Sequence, residues 1–273
     1  MKIIRFLSDD RRVLYGKYDM DRPDCARIIE GDIFQDFHIT SAEARIQRFL
    51  PPVQPPNILA LGLNYRRHAE ETGTNIPDYP IMFMKATGSV VGHGEPILLP
   101  AVGPAKVDYE AELAVVIGKK IKNIKESDAM ACVLGYTCAN DVSARDWQLE
   151  KQKGQWVRGK SFDTFCPLGP WLVTKDEIAH PDRLQIRAIL NDDDILQDSN
   201  TSGMIVSVAA AISFLSQSMT LLPGTVILTG TPAGVGFTRK PPLFLKAGDR
   251  IAIEIEGIGR LSNPVVREQS SPC

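Results

Sequence analysis

Cysteine is scarce in this sequence and forms no pattern. The 273-residue chain has five cysteines, and no two of them make a Cys-x-x-Cys pair. An odd, scattered set argues against a disulfide framework and against a cysteine-based zinc site, and it indicates a reducing compartment. The N-terminus also lacks the apolar stretch of a secretory signal, so we expect a cytoplasmic protein.

Long apolar runs and an excess of one charge are missing as well. The best apolar stretch, MIVSVAAAISFL, is shorter than the roughly 18 residues of a membrane span and carries serines. Lys and Arg number 31 against 33 Asp and Glu, which gives a net charge of −2. No basic field therefore favours nucleic acid or an anionic membrane, and we expect neither as a partner.

The sequence shows no alternation of strands with long helices, which argues against a Rossmann fold or a TIM barrel. Short apolar runs with turn signals follow one another instead, such as NILALGLN, ELAVVIG and RIAIEIEGIG. Helical spacing predicts one helix over 207–219, capped by Ser207, and a weaker one in SARDWQLEKQ. We therefore predict a β-rich α+β fold with few helices.

Prolines mark one candidate boundary. The segment PPVQPP at 51–56 is stiff and extended, and it suits neither a helix nor a central strand. Before it, residues 1–50 predict a small N-terminal α/β segment, with a few strands followed by a short helix around SAEARIQRFL. Residues 57–273 would then form the main domain. A proline-rich crossing inside one domain is the alternative.

Acidic residues alternate just ahead of an apolar run in DYEAELAVVIGK. Side chains two apart on a strand share a face, so Asp108, Glu110 and Glu112 should point the same way, about 7 Å between neighbours. Asp141 follows a second apolar run, VLGYTCAN. Glu110, Glu112 and Asp141 would make a hard oxygen site suited to Mg²⁺, Mn²⁺ or Ca²⁺. A solvated strand edge is the plain alternative.

Three further stretches carry groups that could take part in catalysis or ligand binding. His68 and Glu71 share a helix face in GLNYRRHAEETG, so the carboxylate can orient the imidazole as a general base; a surface pair is the alternative. Lys85 and Lys160 each stand alone in an apolar stretch, where a lysine either holds a carboxylate or enolate or extends to solvent. The glycines of TGTPAGVG let backbone N–H groups approach an anion, although a plain turn needs no function.

Taken together, five stretches resemble one known family. GLNYRRHAEE, VDYEAELAVVIGK, NDVSARDWQ, GKSFDTFCPLGP and TGTPAGVG occur in the order found in the fumarylacetoacetate hydrolase (FAH) superfamily, over about residues 57–266. DVSARDWQ, KSFDTFCPLGP and RKPPLFLKAGD are especially similar to the branch around the domain-containing protein 2. The resemblance implies an FAH-type mixed β-sheet roll, a homodimer, and one Mg²⁺ or Mn²⁺ ion per site without an organic cofactor.

The resemblance also assigns roles to ten residues, and none departs from the family pattern. The matches are metal ligands at Glu110, Glu112 and Asp141, a His68–Glu71 pair on a lid, an active-site lysine at Lys160, and substrate contacts at Lys85, Arg145, Gln148 and Thr231. A cation between the acids would explain why like charges converge there.

The implied activity is that of an enzyme acting on a small 2-oxo acid. Our main interpretation is a metal-dependent hydrolase that cleaves a C–C bond of an acylpyruvate-type 2,4-dioxo acid, with water activated by His68 and the enolate stabilised by Lys160 and the metal. An oxaloacetate keto–enol tautomerase or a decarboxylase would use the same site, and a non-catalytic metal-binding scaffold is a remote alternative. The sequence leaves open the native substrate, the metal, and whether the Thr231–Pro232 peptide is cis.

Overall fold

A mixed sheet of eleven strands forms the larger part of the fold in the computed structural model, which describes residues 1–269. The strands are β1 (Lys2–Ser8), β2 (Val13–Tyr18), β3 (Cys25–Gly31), β4 (Phe37–Leu50), β5 (Ile58–Gly62), β6 (Ile81–Lys85), β7 (Val90–Val91), β8 (Ile97–Leu99), β9 (Val107–Asp108), β10 (Ala111–Ile117), β11 (Val133–Asn140), β12 (Ser143–Ala144), β13 (Cys166–Thr174), β14 (Gln185–Leu190), β15 (Asp194–Asn200), β16 (Val226–Leu228), β17 (Arg250–Ile255) and β18 (Gly259–Arg267).

Helices are few and short. The α-helices are α1 (Arg66–Glu71), α2 (Glu126–Ala129), α3 (Val157–Lys160) and α4 (Val208–Ser218). A π-helical turn covers Asp146–Lys151, and 3-10 turns cover Thr87–Ser89, Pro104–Lys106, Met130–Cys132, Lys175–Glu177, Pro181–Arg183, Thr201–Gly203 and Gly236–Thr238. The abundance of strands confirms the prediction of a β-rich α+β fold.

Three sheets organise these strands. The large sheet has the order β2-β3-β4-β1-β13-β11-β10-β16-β5-β6, with β7 beside β13. A second sheet has the order β15-β14-β17-β18-β8, and β9 pairs with β12. Most neighbours are antiparallel, but three pairs are parallel: β5 with β16, β7 with β13, and β8 with β18. The sheets are therefore mixed, as the FAH-type roll requires.

Strand β10 lies at the centre of the large sheet, between β11 and β16, and all seven of its residues are buried. A central strand that is covered on both faces reads as a continuous apolar run, which explains the sequence LAVVI. The acidic residues precede or begin this strand, so the core itself fixes their position.

The predicted helix over 207–219 is confirmed as α4. Its buried residues include Val208, Ala211, Ile212 and Leu215, which follow the helical period, and the Ser207 side chain accepts the Ala210 N–H at 3.1 Å. The weaker helix predicted in SARDWQLEKQ is present as the π-helical turn.

The helix predicted around SAEARIQRFL is wrong, because residues 41–50 continue the long strand β4. Ala44 and Ile46 are partly buried, whereas Arg45 and Gln47 are exposed, so the segment alternates with the period of a strand. Pairing with both β1 and β3 outweighs the helical propensity of Ala, Glu and Arg. The N-terminal segment therefore contains strands only, and β1 joins it to β13 in the large sheet. Its separation as a domain stays a prediction.

Three smaller questions from the sequence also have answers. Cys25, Cys132, Cys138 and Cys166 are free thiols, and Cys273 lies outside the described residues. Within residues 1–269 the cis peptides precede Pro170 and Pro241, so Thr231–Pro232 is trans. No helix in that range is long and apolar enough to cross a membrane.

Candidate active site

Three carboxylates converge where β10 begins and β11 ends. Antiparallel pairing of Ala111 with Asn140 places Glu110 beside Asp141, and the Asp141 N–H donates to the Glu110 carbonyl at 2.9 Å. One oxygen from each of Glu110, Glu112 and Asp141 lies within 4.8 Å of the others, and all three residues are buried. The structure thus brings together the three predicted metal ligands.

Two lysines enter the same cluster from other elements. Lys160, at the end of α3, places Nζ at 2.7 Å from both Glu110 Oε2 and Asp141 Oδ2. Burial would raise the pKa of Glu110, but the charges of Lys160 and Arg145 outweigh it and lower that pKa to about 2. Glu110 is therefore ionised and already paired.

Lys85, predicted to contact substrate, sits behind this cluster. Its side chain is fully buried, and Nζ donates to Asp141 Oδ1 at 2.5 Å and to the Val142 carbonyl at 3.3 Å. Lys85 is not among the residues that line the cavity described below. The contacts of Lys85 therefore suit a partner of Asp141, and direct contact with a substrate stays a prediction.

Glu112 is the member of the cluster without a paired cation. Its Oε2 accepts the Gly230 N–H at 2.7 Å, and no salt bridge within residues 1–269 reaches it. Burial, together with the nearby charges of Asp141 and Glu110, raises the pKa of Glu112 well above its usual value. A cation bound beside Glu112 would favour its ionised form and lower this pKa.

A divalent metal fits these residues. Three buried carboxylate oxygens are the donors that Mg²⁺, Mn²⁺ and Ca²⁺ prefer. The three carboxylates and the neighbouring Asp108 make four buried acidic groups against three buried cations, Lys85, Lys160 and Arg145, so this region has one acidic group more than it has cations. The acidic cluster could therefore bind the metal that the family resemblance implies.

Asp108 does not join the metal-type cluster, contrary to the strand-face argument. The strand is interrupted between β9 and β10, so the period of two does not carry across. Asp108 accepts Arg145 Nε at 2.8 Å and the N–H groups of Gly236 and Phe237 at 2.8 and 3.0 Å. It thereby fixes Arg145, whose Nη1 lies 2.7 Å from Glu110 Oε1.

A cavity of about 310 Å³ opens above the carboxylates. Seven of the predicted site residues line it, namely His68, Glu110, Glu112, Arg145, Gln148, Lys160 and Thr231. Apolar side chains, among them Phe83, Trp156 and Phe237, complete the wall. The volume and the few convergent polar groups suit a small polar molecule.

His68 and Glu71 form the predicted pair on α1. His68 is buried and places Nδ1 at 3.1 Å from Glu71 Oε2, while Glu71 Oε1 accepts the Gly234 N–H and the Thr238 hydroxyl, each at 2.9 Å. Burial raises the pKa of Glu71, but the hydrogen bonds from His68, Gly234 and Thr238 outweigh it, so the pKa is lowered. Nε2 of His68 is the ring nitrogen left for chemistry.

Two supporting residues escaped sequence reasoning. Gln197 of β15 accepts the Ala111 N–H at 2.9 Å and donates to the Thr231 hydroxyl at 2.8 Å, which ties the second sheet to the site. Asn64 donates to the Thr229 and Val206 carbonyls at 2.7 and 3.1 Å. Neither stands in a charged motif, so the sequence offered no signal beyond the Gly-x-Asn at the end of β5.

These features define a class of protein. A small cavity with a carboxylate and lysine cluster at its base, and an imidazole oriented by a carboxylate at its side, is the arrangement of an enzyme that acts on small molecules. Comparison with known proteins then gives the family.

The sequence model of the family described as fumarylacetoacetate (FAA) hydrolase C-terminal matches residues 57–266 of this chain. The mitochondrial oxaloacetate tautomerase of Xenopus laevis is 53% identical over 229 residues, which cover 84% of this chain and 71% of that protein. A fumarylacetoacetate hydrolase domain-containing protein 2 homologue of Dictyostelium discoideum is 48% identical, over 78% of this chain and 72% of that one. A crystal structure of 5-carboxymethyl-2-hydroxymuconate delta-isomerase from Mycobacterium smegmatis is 39% identical with a TM-score of 0.86, and the match covers 98% of this chain and 100% of that chain.

The chain belongs to the fumarylacetoacetate hydrolase family. Its similarity to members of the domain-containing protein 2 branch, at about 50% identity, confirms the resemblance seen in the motifs. The structural match confirms the FAH-type fold. The protein is therefore an enzyme of this family with a small-molecule substrate.

Proposed function

We propose that this protein is a divalent-metal-dependent oxaloacetate tautomerase. It would move one proton between C3 and the C2 oxygen of oxaloacetate, interconverting the keto and enol forms. The observation that carries the proposal is the 53% identity with an oxaloacetate tautomerase over 84% of this chain. That similarity favours the tautomerase over the C–C hydrolase of our main sequence interpretation.

His68 is the residue that would exchange the C3 proton. Glu71 occupies Nδ1, so the imidazole presents Nε2 to the cavity that it lines. The ionised Glu71 would stabilise the imidazolium formed when Nε2 takes the proton. In the forward direction the imidazolium would pass this proton to the enolate oxygen at C2, and in the reverse direction the enol O–H proton would reach C3 through His68, so that the ring ends neutral in both directions.

Lys160 would hold the negative charge that develops on the C2 oxygen. Two of its three N–H bonds go to Glu110 and Asp141, which leaves the third for a ligand in the cavity. A divalent cation held by Glu110, Glu112 and Asp141 would act as a Lewis acid on the 2-oxo acid end of the substrate.

Arg145 and Gln148 would bind the second carboxylate of oxaloacetate. Both line the cavity, and Nη1 of Arg145 lies 2.8 Å from Gln148 Oε1. Nη2 of Arg145 is buried and has no hydrogen-bond partner among residues 1–269. A guanidinium with an unused donor suits a carboxylate, which favours a dicarboxylic substrate over an acid with an apolar tail.

Hydrolysis of an acylpyruvate is the second candidate. The oriented base at His68 could activate water as well as exchange a proton with carbon, and the family model is that of a hydrolase. Decarboxylation of oxaloacetate would need no base. The His68–Glu71 pair and Lys160 argue against a scaffold without activity, because His68 and Lys160 line the cavity beside the carboxylates. The homodimer, the choice of metal and the compartment stay predictions.

One experiment separates these activities. Enol oxaloacetate is mixed with the protein and Mg²⁺, and its conversion is followed by ultraviolet absorbance, with an EDTA control. Parallel NMR spectra follow pyruvate from oxaloacetate and acetate from acetylpyruvate. We expect metal-dependent enol loss without pyruvate. Enol loss no faster than in EDTA would overturn the proposal, and acetate with pyruvate from acetylpyruvate would restore the hydrolase.

A further inference from the structure

The turn Gly236–Thr238 contacts Glu71, the partner of the proposed base, through the Thr238 hydroxyl at 2.9 Å. We propose that Thr238 is a positioning residue, a latch that holds α1 and orients His68 through Glu71. The proposal rests on the proposed function in one respect only, namely that His68 acts on the substrate. Thr238 lies between the matched stretches TGTPAGVG and RKPPLFLKAGD, and it is not among the ten residues to which the resemblance assigns a role.

Helix α1 depends on such outside contacts. It has six residues, no side-chain cap at its start, and is far shorter than a helix that is stable on its own. At its start, Tyr65 is buried and Asn64 is bonded to neighbouring backbone. Beyond its end, residues 73–76 are exposed. The last turn of the helix is therefore the part that needs an anchor.

Glu71 supplies that anchor with one carboxylate oxygen. Its side chain is 22% exposed, and the two oxygens have separate tasks: Oε2 meets His68 Nδ1, and Oε1 accepts the Thr238 hydroxyl and the Gly234 N–H. A carboxylate held at one oxygen by two donors cannot rotate freely, so the other oxygen keeps a fixed direction toward the imidazole.

The receiving turn is itself fixed. The buried Asp108 accepts the N–H groups of Gly236 and Phe237, and the Phe237 ring lies 4.4 Å from the Arg145 guanidinium. The Leu243 N–H also donates to the Gly236 carbonyl at 3.0 Å, and a Cβ on Gly236 would lie 1.9 Å from the Leu243 carbonyl oxygen, so the turn packs directly against that backbone. Asp108 thus fixes the turn that carries Thr238, and Thr238 in turn holds Glu71 in the position that orients His68.

The first test is hydrogen–deuterium exchange of the metal-loaded protein. Thr238→Val removes the hydroxyl and keeps the shape, Thr238→Ser restores it, and Thr40→Val is a matched control in the N-terminal strands. We expect amides 66–74 to exchange about tenfold faster in Thr238→Val, with unchanged exchange in β10, Thr238→Ser and the control. Exchange in Thr238→Val equal to the wild type would overturn the latch.

Kinetics provide the second test. We expect kcat for oxaloacetate tautomerisation to fall about tenfold in Thr238→Val, with Mn²⁺ affinity unchanged and Thr238→Ser close to the wild type. The acidic limb of the pH profile should move to higher pH, because Glu71 loses a donor to its ionised form. If kcat falls but the acidic limb of the pH profile stays at the wild-type pH, Thr238 has a structural role only, and the positioning role is overturned.

A double-mutant cycle with Glu71→Ala completes the design. If Thr238 acts through Glu71, the valine change has no further effect on exchange once Glu71 is gone. An equal effect in both backgrounds would contradict the proposal. A wild-type protein without tautomerase activity whose α1 is still loosened by Thr238→Val would refute the proposed function and support the latch.

Discussion

The ammonium of Lys85 lies 2.5 Å from Oδ1 of Asp141, and neither side chain is accessible to solvent. A buried pair of this kind is expensive to break, because removal of one partner leaves the other charge without compensation. Lys85 also comes from an edge strand of the large sheet, whereas Asp141 follows a central one. The pair therefore joins the candidate metal cluster to the margin of the sheet.

Replacement of Lys85 should destabilise the metal-free protein. We expect Lys85→Met to lower the free energy of unfolding by about 3 kcal/mol, measured by urea denaturation in EDTA. In the double variant Lys85→Met/Asp141→Asn the two losses should be less than additive, because the unpaired carboxylate is gone. Additive losses would show that the two side chains do not act as a pair.

Replacement of Glu112 should separate metal binding from stability. Glu112 has no paired cation, so we expect Glu112→Gln to leave the unfolding free energy of the metal-free protein unchanged or higher. Mn²⁺ affinity, measured by calorimetry, should fall by more than the roughly 10–100-fold typical of an outer-shell partner. Glu30→Gln, at an exposed position, is the control. Undiminished Mn²⁺ binding would remove Glu112 from the ligand set.

Replacement of His68 or Lys160 should lower turnover more than it lowers metal affinity. We expect His68→Gln to lower kcat for tautomerisation by roughly 10²–10⁴-fold, because it removes the proton acceptor. Lys160→Met should lower kcat by roughly 10²–10³-fold, because it removes a donor to the developing oxyanion. Both assays are run at saturating Mn²⁺. A variant with normal kcat under these conditions would lose its assigned role.

Glu71 should make stability depend on pH in a defined direction. Its pKa in the folded protein lies below the usual 4.5, so it stabilises the fold above that pH and loses the contribution as pH falls through the lowered value. The difference in unfolding free energy between wild type and Glu71→Gln should therefore be constant above pH 4.5 and shrink below it. Glu70→Gln, on the same helix, is the matched control. A difference that grows on acidification would contradict this assignment.

The sequence predicts this site well where neighbouring residues carry the chemistry. Glu110 and Glu112 stand together ahead of an apolar strand, and His68 and Glu71 share a helix turn, so their grouping follows from the periods of strand and helix. Asp141 is grouped with them because it follows a second apolar run, but its placement beside Glu110 depends on the pairing of β10 with β11, which no local period encodes.

What the sequence could not supply lies in contacts between distant segments. Asp108 meets Gly236, 128 residues away, and Gln197 of the second sheet meets Thr231, 34 residues further along the chain. No local period encodes such a contact. The mistaken helix around residues 41–50 has the same origin, because the partners β1 and β3, and not the segment itself, decide its conformation.

Strand β10 is buried along its whole length and bordered on both sides, whereas α1 is a single short helix pinned at its two ends. The carboxylates are thus held by central strands of the large sheet, whereas His68 is carried by a six-residue helix. We therefore expect proteins of this fold that differ in reaction to differ in the segment around α1 and to share the carboxylates beside β10 and β11. Under the proposed function, a library over residues 72–80, which leaves His68 and Glu71 in place, should therefore change which 2-oxo acid is processed without loss of the fold.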